Sequence, residues 1–517
     1  MTKIKRALIS VYDKTGVLDF AKALHRLGVE IISTGGTAEL LKKEGLPVKE
    51  VSEVTQFPEM LSGRVKTLHP NLHAGILALR DDPKHMKTLA EHAIQPIDLL
   101  VVNLYPFWDA LRTKTQEHEI IEMIDIGGPS MLRSAAKNFR FVASVSDPAD
   151  YAAVAEELRA NNGALSDTTR KSLAGKVFKL TSYYDGLISG YFHRNGNVSD
   201  TSMLPGQLNL VFEKSADLRY GENPHQKGAL YGEKNAQGGI VKAKQIHGKE
   251  LSFNNILDLD AAWSMVSDFS EPACAIMKHT NPCGFAVGRN TREAFKNAYA
   301  CDPLSAFGSI IGFNAEVDEA TAKAISKSGF VECVVAVNFS KEALLVLKEK
   351  KNLRLLLMDT KAAAQEVYDF KKVSGGLLLQ DRDVKDSSAT DLRCVTKLAP
   401  KKSQIADLLF AFKVSRYLKS NAIVIAKKGA TLGLGMGQTS RVDSTQTAFR
   451  KAGKKSRGAV LASDGFFPKP DSIALARKYG ISAIIQPGGS IQDEAVIAAC
   501  NKAKISMVFT GIRHFKH

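Results

Sequence analysis

Lys278 and His279 stand side by side in AIMKHTNPCG, directly after a short apolar run. An ammonium there can stabilise developing negative charge, and an imidazole suits proton transfer near neutral pH. A lone histidine is more often structural, but the polar NPCG that follows argues against simple core packing. Upstream, RYGENPHQ (Arg219 to Gln226) offers an arginine that can grip a phosphate bidentately, and reads equally well as a hydrogen-bonded loop. Downstream, GLGMGQTSR ends at Arg441 and contains GxGxG, yet it lacks a full dinucleotide fingerprint and a Walker lysine, which rejects an ATP or NAD site. Phe466 and Phe467 in SDGFFPKPDS fall on a loop after a strand, either stacking on a flat ring or packing ordinarily.

A second set lies in the first 140 residues. Ser33-Thr34-Gly35-Gly36-Thr37 follows a predicted strand and opens a predicted helix, so inward-turned amides, hydroxyl donors and a helix N-terminus would favour an anion. Many Gly-Gly turns of this kind hold no ligand. Ser10 and Lys14 are expected on the same sheet edge, where parallel α/β proteins bind ligands. Arg64, Lys66, Thr67 and His69 crowd into SGRVKTLHP, a donor-rich loop that is otherwise a basic surface loop. Tyr105 in NLYPF should emerge at a strand's C-terminal end or pack as a core aromatic. Asp125, Gly127 and Gly128 in DIGGPSMLRSAAKN precede a helix expected to be capped by Pro129, with Lys137 further along it.

The elements that must position these residues alternate. Arg6–Val11, Val29–Ser33, Ile97–Asn103 and Arg140–Val145 read as buried strands, separated by helical stretches such as Gly16–Leu27 and Pro129–Asn138. That alternation predicts a parallel sheet wrapped by helices. A helical pattern over Thr168–Phe192 closes the unit, and His193–Gln207 reads as a linker. The remainder is also α/β. Ala459–Ala462, Ile481–Gln486 and Ile505–Thr510 are predicted strands, Ser472–Lys478 and Glu494–Asn501 predicted helices, with a partition near Lys385–Ser403.

Composition agrees with a folded, soluble chain: 517 residues, 44% hydrophobic and 24% charged, enough for three or four units of ordinary domain size. Cys274, Cys283, Cys301, Cys333, Cys394 and Cys500 form no CxxC pair, so neither a disulfide framework nor a zinc site is expected, only buried reduced thiols. The formal charge of +16 is dispersed, apart from short clusters such as Lys454-Lys455-Ser456-Arg457 without interleaved aromatics. It reads as a solvated surface or as a field attracting anionic small molecules. MTKIKRALISVYDK has no signal-peptide core, and no apolar stretch reaches the roughly 18 residues of a membrane helix, so a cytoplasmic location and no membrane partner are expected.

The stretches LISVYDKTG, ISTGGTA, GRVKTLHP, NLYPF and DIGGPSMLRSAAKN resemble the inosinate cyclohydrolase domain of the bifunctional purine-biosynthetic enzymes, whose fold is similar to methylglyoxal synthase. By that resemblance Ser10, Lys14, Ser33, Thr34, Gly35, Gly36, Thr37, Arg64 and Thr67 would hold the nucleotide, chiefly its phosphate, with Gly127 and Gly128 beside it. Lys66, Tyr105, Asp125 and Lys137 would surround the reacting centre. The implied reaction is intramolecular: the substrate's carboxamide nitrogen attacks its formamido carbon, and the tetrahedral oxyanion then loses water. Positioning supplies most of what it needs. Lysine or backbone donors would stabilise the oxyanion, Asp125 could take the amide proton, and Tyr105 or a lysine could protonate the departing oxygen.

RYGENPHQ, SFNN, KHTNPCG, DPLSAFG, SNAIVIA, GQTSR and SDGFFP resemble the formyltransferase acting on aminoimidazole carboxamide ribonucleotide (AICAR), built in that family from two cytidine-deaminase-like α/β subdomains. The resemblance spans essentially the whole chain and implies residues 1–200 as the cyclohydrolase and 201–517 as the formyltransferase, split near 385–403. It places Arg219, Tyr220, Glu332 and Arg513 on the nucleotide, Lys278, His279 and Asn421 at the reacting amine, and Asn254 and Phe466 in the folate or base pocket. It implies 10-formyltetrahydrofolate as co-substrate, FAICAR and IMP as products, and a homodimer. The zinc signature of deaminases (HxE with PCxxC) is absent, so no metal chemistry is expected. Three positions depart from many relatives: Lys469 in FFPKPD, Val337 in AVNF, and Glu332 where some carry aspartate. Two competing readings are one activity with the other site degenerate, and an RNA-binding protein suggested by the basic balance, for which RRM, KH and zinc-knuckle signatures are missing.

Overall fold

Short apolar runs ended by glycine or polar turns are long enough for buried strands and too short for helices, and they build the first unit, Met1–Leu210. The computed structural model describes residues 3–195, 204, 206–233, 236, 238–359 and 368–517, so most of the expected linker lies outside the described residues. Strands β1 (Arg6–Ser10), β2 (Glu30–Ser33), β3 (Val48–Glu50), β4 (Leu99–Val102) and β5 (Ala143–Val145) pair in the order β3-β2-β1-β4-β5, all parallel. The four expected strands are present with trimmed ends. β3 was not legible, because an edge strand reading Val-Lys-Glu shows no apolar run. The chain winds outward from β1 to β3 and returns on the other side with β4 and β5. The strand order therefore switches between β1 and β4, where a crevice opens at their carboxyl ends.

One expectation is corrected here. The helix Gly127–Lys137 starts at the glycines, so Pro129 is its third residue and not its cap. Both glycines sit in the first turn because their surroundings leave no room for a side chain. A Cβ on Gly128 would stand 2.5 Å from Asp125 Oδ2 and 2.8 Å from Leu104 Cδ2, and one on Gly127 would collide with Thr67 Oγ1.

The second unit, Val211–His517, begins with a two-stranded pair, β6 (Phe212–Leu218) and β7 (Gly228–Glu233). The strands that follow are β8 (Lys244–His247), β9 (Ala273–Lys278), β10 (Asn281–Val287), β11 (Ser309–Phe313), β12 (Val331–Ala336) and β13 (Arg354–Leu357). A hairpin, β14 (Tyr368–Val373) and β15 (Gly376–Asp381), stands apart from the main sheet. Then come β16 (Arg393–Cys394), β17 (Ile423–Lys427), β18 (Ala430–Gly435), β19 (Val460–Ser463), β20 (Ala483–Gln486) and β21 (Ser506–Phe509).

Twelve of these form one sheet in the order β16-β21-β20-β19-β17-β18-β10-β9-β11-β12-β13-β8. Read outward from the β10–β18 seam, each half repeats the same plan: a hairpin followed by parallel strands, ended by an antiparallel edge strand. Helix Phe253–Val266 precedes β9 and helix Lys402–Ser415 precedes β17. Buried residues of both helices share one core with the central strands, Leu259, Trp263, Leu408 and Phe412 among them. Five cysteines are buried as expected, whereas Cys394 is exposed on β16. Among the described residues no helix is long and apolar enough to cross a membrane.

Candidate active sites

In the first unit the crevice between β1 and β4 gathers most of the expected residues. Asn103, just past β4, accepts the backbone N–H groups of Tyr12 and Asp13 at 2.7 and 3.0 Å and donates to the Asp13 carbonyl at 2.9 Å. This ties the loop after β1 to the loop after β4 and sets Tyr12 edge-on to Tyr105, 5.5 Å between ring centres. Two of the hydroxyls expected as ligand donors do a different job. Ser33 Oγ donates to the Ile9 carbonyl at 2.6 Å, and Thr37 Oγ1 bridges the Val11 carbonyl and N–H at 2.9 and 3.2 Å. Both are buried and clamp β2 and its helix onto β1. What remains for an anion is the start of helix Gly35–Lys43 with Thr34 at its N-cap. Two ammonium groups converge on it: Lys66 Nζ lies 3.6 Å from where a Cβ of Gly35 would be, and Lys14 Nζ 3.9 Å from that of Gly36. Backbone donors, helix dipole and two lysines together form an anion cradle.

Asp125 sits beside this cradle. Its Oδ1 accepts the Gly128 N–H at 2.8 Å, and its own N–H donates to the Tyr184 hydroxyl at 2.8 Å, which in turn donates to the Met123 carbonyl at 2.9 Å. Burial raises the Asp125 carboxyl above its ordinary value, while the backbones of Gly128 and Tyr105 and the Lys66 ammonium pull it back. Burial likewise raises the Tyr105 phenol, helped by Asp125, Glu59 and Tyr12. The phenol and the ammonium are thus each in electrostatic range of the carboxylate, an arrangement for passing protons. Thr67 is buried against Gly127, and Arg64 is exposed and paired with Glu122. Ser10 ends β1 in the same crevice. Lys137 is not brought there. It is exposed in the last turn of helix Gly127–Lys137, about 15 Å along the axis from Gly127.

In the second unit the antiparallel pairings across the seam put the end of β9, the start of β17 and the ends of β19 to β21 on one sheet edge. The starts of β11 to β13 lie on that edge too. Lys278, His279, Glu332, Asn421, Phe466 and Arg513 therefore share it. Lys278 ends β9, His279 and Thr280 form a two-residue turn, and β10 starts at Asn281 opposite Lys278. NPCG is therefore the buried start of a strand and not a polar loop, because the turn itself takes only two residues. His279 and Thr280 have φ of 54° and 59°, a conformation that costs roughly 1–3 kcal/mol for each non-glycine residue. Lys278 Nζ donates to the Phe307 carbonyl at 2.8 Å.

Asn421, roughly 14 Å away by three strand spacings, is held on both sides of its amide. Its Oδ1 accepts from Arg441 Nη2 at 2.7 Å, and its Nδ2 donates to the carbonyls of Gln438 and Thr439 at 2.9 and 3.2 Å. Arg441 is buried and ion-paired with the fully buried Asp464. Asn421, Ser440, Arg441, Phe466, Pro468 and Phe515 line a pocket of ≈ 340 Å³. Both aromatics lie on the loop after β19, Phe466 38% exposed in this pocket and Phe467 fully buried in the core, the ordinary-packing alternative. Arg513 lies 4.3 Å over the Phe515 ring. Asn254 opens helix Phe253–Val266 and donates to the Glu222 carbonyl at 3.3 Å, which brings RYGENPHQ to this helix start. Arg219 packs over Tyr220 at 5.5 Å. Glu332 is engaged with Arg354 at 2.7 Å. Among the described residues no cluster of three or more His, Cys, Asp or Glu could hold a metal ion.

Sequence reasoning did not single out Tyr12, Asn103, Tyr184, Asp258 or Arg441 as site residues. Tyr12 and Arg441 lie inside motifs that were recognised. Tyr184 and Asp258 sit in ordinary helical stretches and carry no local signal.

Comparison with known proteins bears on these sites. Residues 16–130 match the family described as MGS-like domain, and residues 135–451 match the family described as AICARFT/IMPCHase bienzyme. A relative from Thermoanaerobacter sp. (strain X514), "Bifunctional purine biosynthesis protein PurH", is 50% identical over 514 residues, covering 99% of this chain and 100% of its own. A solved structure described as "Crystal structure of ForH" is 35% identical over 37% of this chain and 98% of its own, with a TM-score of 0.34.

Proposed function

The chain belongs to the AICARFT/IMPCHase bienzyme family, and from that premise we propose how its two units divide the work. The chain is a bifunctional enzyme of purine biosynthesis that formylates AICAR and closes the resulting FAICAR to IMP. In our reading residues 1–200 carry ring closure and residues 201–517 carry formyl transfer, with 10-formyltetrahydrofolate as the formyl donor. The enzyme acts as a cytoplasmic homodimer on small-molecule substrates, without a nucleic-acid partner.

For ring closure, the observation that carries the reading is the convergence of Lys14 and Lys66 on the Gly35–Gly36 helix start beside Asp125. The nucleotide phosphate occupies the Lys14 side of that helix start, which leaves Lys66, in range of Asp125, to the reacting groups, and it fixes the formamido and carboxamide groups face to face in a unimolecular reaction. Asp125 takes the amide proton, Lys66 faces the oxyanion, and Tyr105 supplies a proton to the departing oxygen. For formyl transfer, Lys278 and His279 meet the formyl oxygen and the 5-amino group, and the Phe466 pocket accepts a flat ring.

Lys14→Ala tests the phosphate assignment. A charge-assisted contact is worth about 1.5–3 kcal/mol, so the KM for FAICAR is expected to rise about tenfold or more while AICAR formylation stays unchanged. Equal losses in both half-reactions would remove Lys14 from a dedicated cyclohydrolase cradle.

The electrostatics of Asp125 give a pH test. Its carboxyl is raised above 3.8 chiefly by burial, and the carboxylate is the working form, so cyclisation falls as pH drops through the raised value. The acid limb of kcat/KM is expected above the ordinary aspartate range. Because the Lys66 ammonium lowers this pKa, Lys66→Met should move the limb of the residual activity to still higher pH. A limb that stays in place or moves down assigns the base to another group.

A further inference from the structure

The two-residue turn that carries His279 is held from behind by one side chain. Asp258, one turn past Asn254 in helix Phe253–Val266, accepts the His279 N–H through Oδ2 at 3.2 Å and the Thr280 N–H through Oδ1. Neither N–H faces a cross-strand partner, because β9 and β10 pair from Lys278 and Asn281 outward. The His279 carbonyl is fixed as well, by Thr280 Oγ1 at 2.7 Å and Asn281 Nδ2 at 2.9 Å. The backbone of the histidine is therefore bound on both sides while the residue itself is exposed.

The other half of the sheet supplies an internal comparison. The β17–β18 turn is Lys428-Gly429, with φ of 52° and 67°, and Asp407 at the matching place in helix Lys402–Ser415 accepts the Gly429 N–H at 3.0 Å. Lys427 Nζ donates to the Arg457 carbonyl at 3.2 Å, as Lys278 Nζ does to Phe307 at 2.8 Å. The device is thus built twice, with a difference. Where the second turn residue is glycine the carboxylate holds one N–H. Where it is a β-branched threonine, which resists positive φ, the carboxylate holds two.

We propose that Asp258 is a positioning residue for formyl transfer, fixing the left-handed His279–Thr280 turn so that His279 points at the reacting amine, while Lys278 is held separately by its strand and by Phe307. This rests on the reading that Lys278 and His279 carry that reaction. Asparagine at this place keeps one acceptor and turns an amide N–H toward a turn N–H, so the turn loosens without a cavity. A displacement near 1 Å at a reacting group costs on the order of 10²-fold in rate.

The test uses the full chain, with FAICAR cyclisation and the thermal midpoint as controls for folding. Asp258→Asn is expected to lower kcat for formyl transfer about ten- to a hundredfold, with both KM values within about threefold. Asp407→Asn, which loses the matching bond in the other half, should stay within about twofold of wild type. Thr280→Gly in the Asp258→Asn background should recover folding and part of the lost kcat, since glycine adopts this φ without strain. In a His279→Ala background, Asp258→Asn should slow the residual rate no further. The proposal is overturned if Asp258→Asn keeps its kcat, if Asp407→Asn loses as much, if Thr280→Gly recovers none of the loss, or if the double variant multiplies both losses. If His279→Ala alone retains formyl transfer, the underlying site assignment fails first, and that outcome is separable from the others.

Discussion

His279→Ala is expected to abolish formyl transfer from the folate donor while leaving the closure of preformed FAICAR at its wild-type rate. The 5-amino group of AICAR is a poor nucleophile, because its lone pair is conjugated with the ring and the carboxamide. It must lose a proton as the carbon–nitrogen bond forms. His279 sits on the exposed turn at the edge shared with Asn421 and Phe466, and an imidazole is the side chain there suited to accepting a proton. Positioned general-base catalysis contributes about 10²–10⁴-fold, so the loss should reach at least that range. Lys278→Ala should also be severe through lost stabilisation of the formyl oxyanion, and Lys278→Arg should not restore it, because the planar guanidinium differs from an ammonium in shape and hydration. Single-turnover rates for each half-reaction decide the matter. Near-normal formyl transfer by a folded His279→Ala protein would send the search for the base elsewhere.

Gly128→Ala should produce the mirror image, a collapse of ring closure with formyl transfer intact. A methyl group there would stand 2.5 Å from Asp125 Oδ2 and 2.8 Å from Leu104 Cδ2, well inside contact distance. The carboxylate would have to leave, and with it the bond from the Gly128 N–H. An intramolecular reaction depends on geometry above all, and displacing a proton-transfer group by about 1 Å costs around a hundredfold. A helix frays most easily at its first turn, so a modest drop in thermal midpoint should accompany the lost activity. Retained cyclisation in Gly128→Ala would mean that Asp125 is dispensable in its present position.

Most of the fold was legible where burial on both faces forces uninterrupted apolar runs, as in Leu99–Val102 or Ala483–Gln486. It was hidden where one face meets solvent. Val48–Glu50 is such an edge strand, with two charged residues. NPCG was hidden for another reason: it is a buried strand start composed of turn-forming residue types. The site was legible wherever a motif is compact in sequence, as in Ser33–Thr37 or Lys278–His279. Local chemistry nevertheless assigned the hydroxyls of Ser33 and Thr37 to a ligand, although the strands take them up, because sequence does not reveal which partner is closer. Tyr184 and Asp258 act across 59 and 22 residues of chain, and only the packed helices show what they hold. Lys137 looked equivalent to Asp125 in a single motif, and the length of a helix separates them.

The β10–β18 seam has a consequence for how the second unit opens. Both strands are central, each lined on its outer side by its own half, and glycines bring the flanking helices onto them. A Cβ on Gly284 would strike the Ala298 carbonyl, and one on Gly435 the Ser444 carbonyl. The ladder at the seam is the single pair Ala286–Ala430, but one core runs beneath both halves, so amide protons of the central strands should report the global free energy of unfolding, while those of β8 and β16 at the margins exchange through local fraying. The two halves repeat one plan yet would behave as a single cooperative block. A chain cut between them would bare the inner strands of each half together with the core that the halves share, the kind of edge that pairs with another copy of itself.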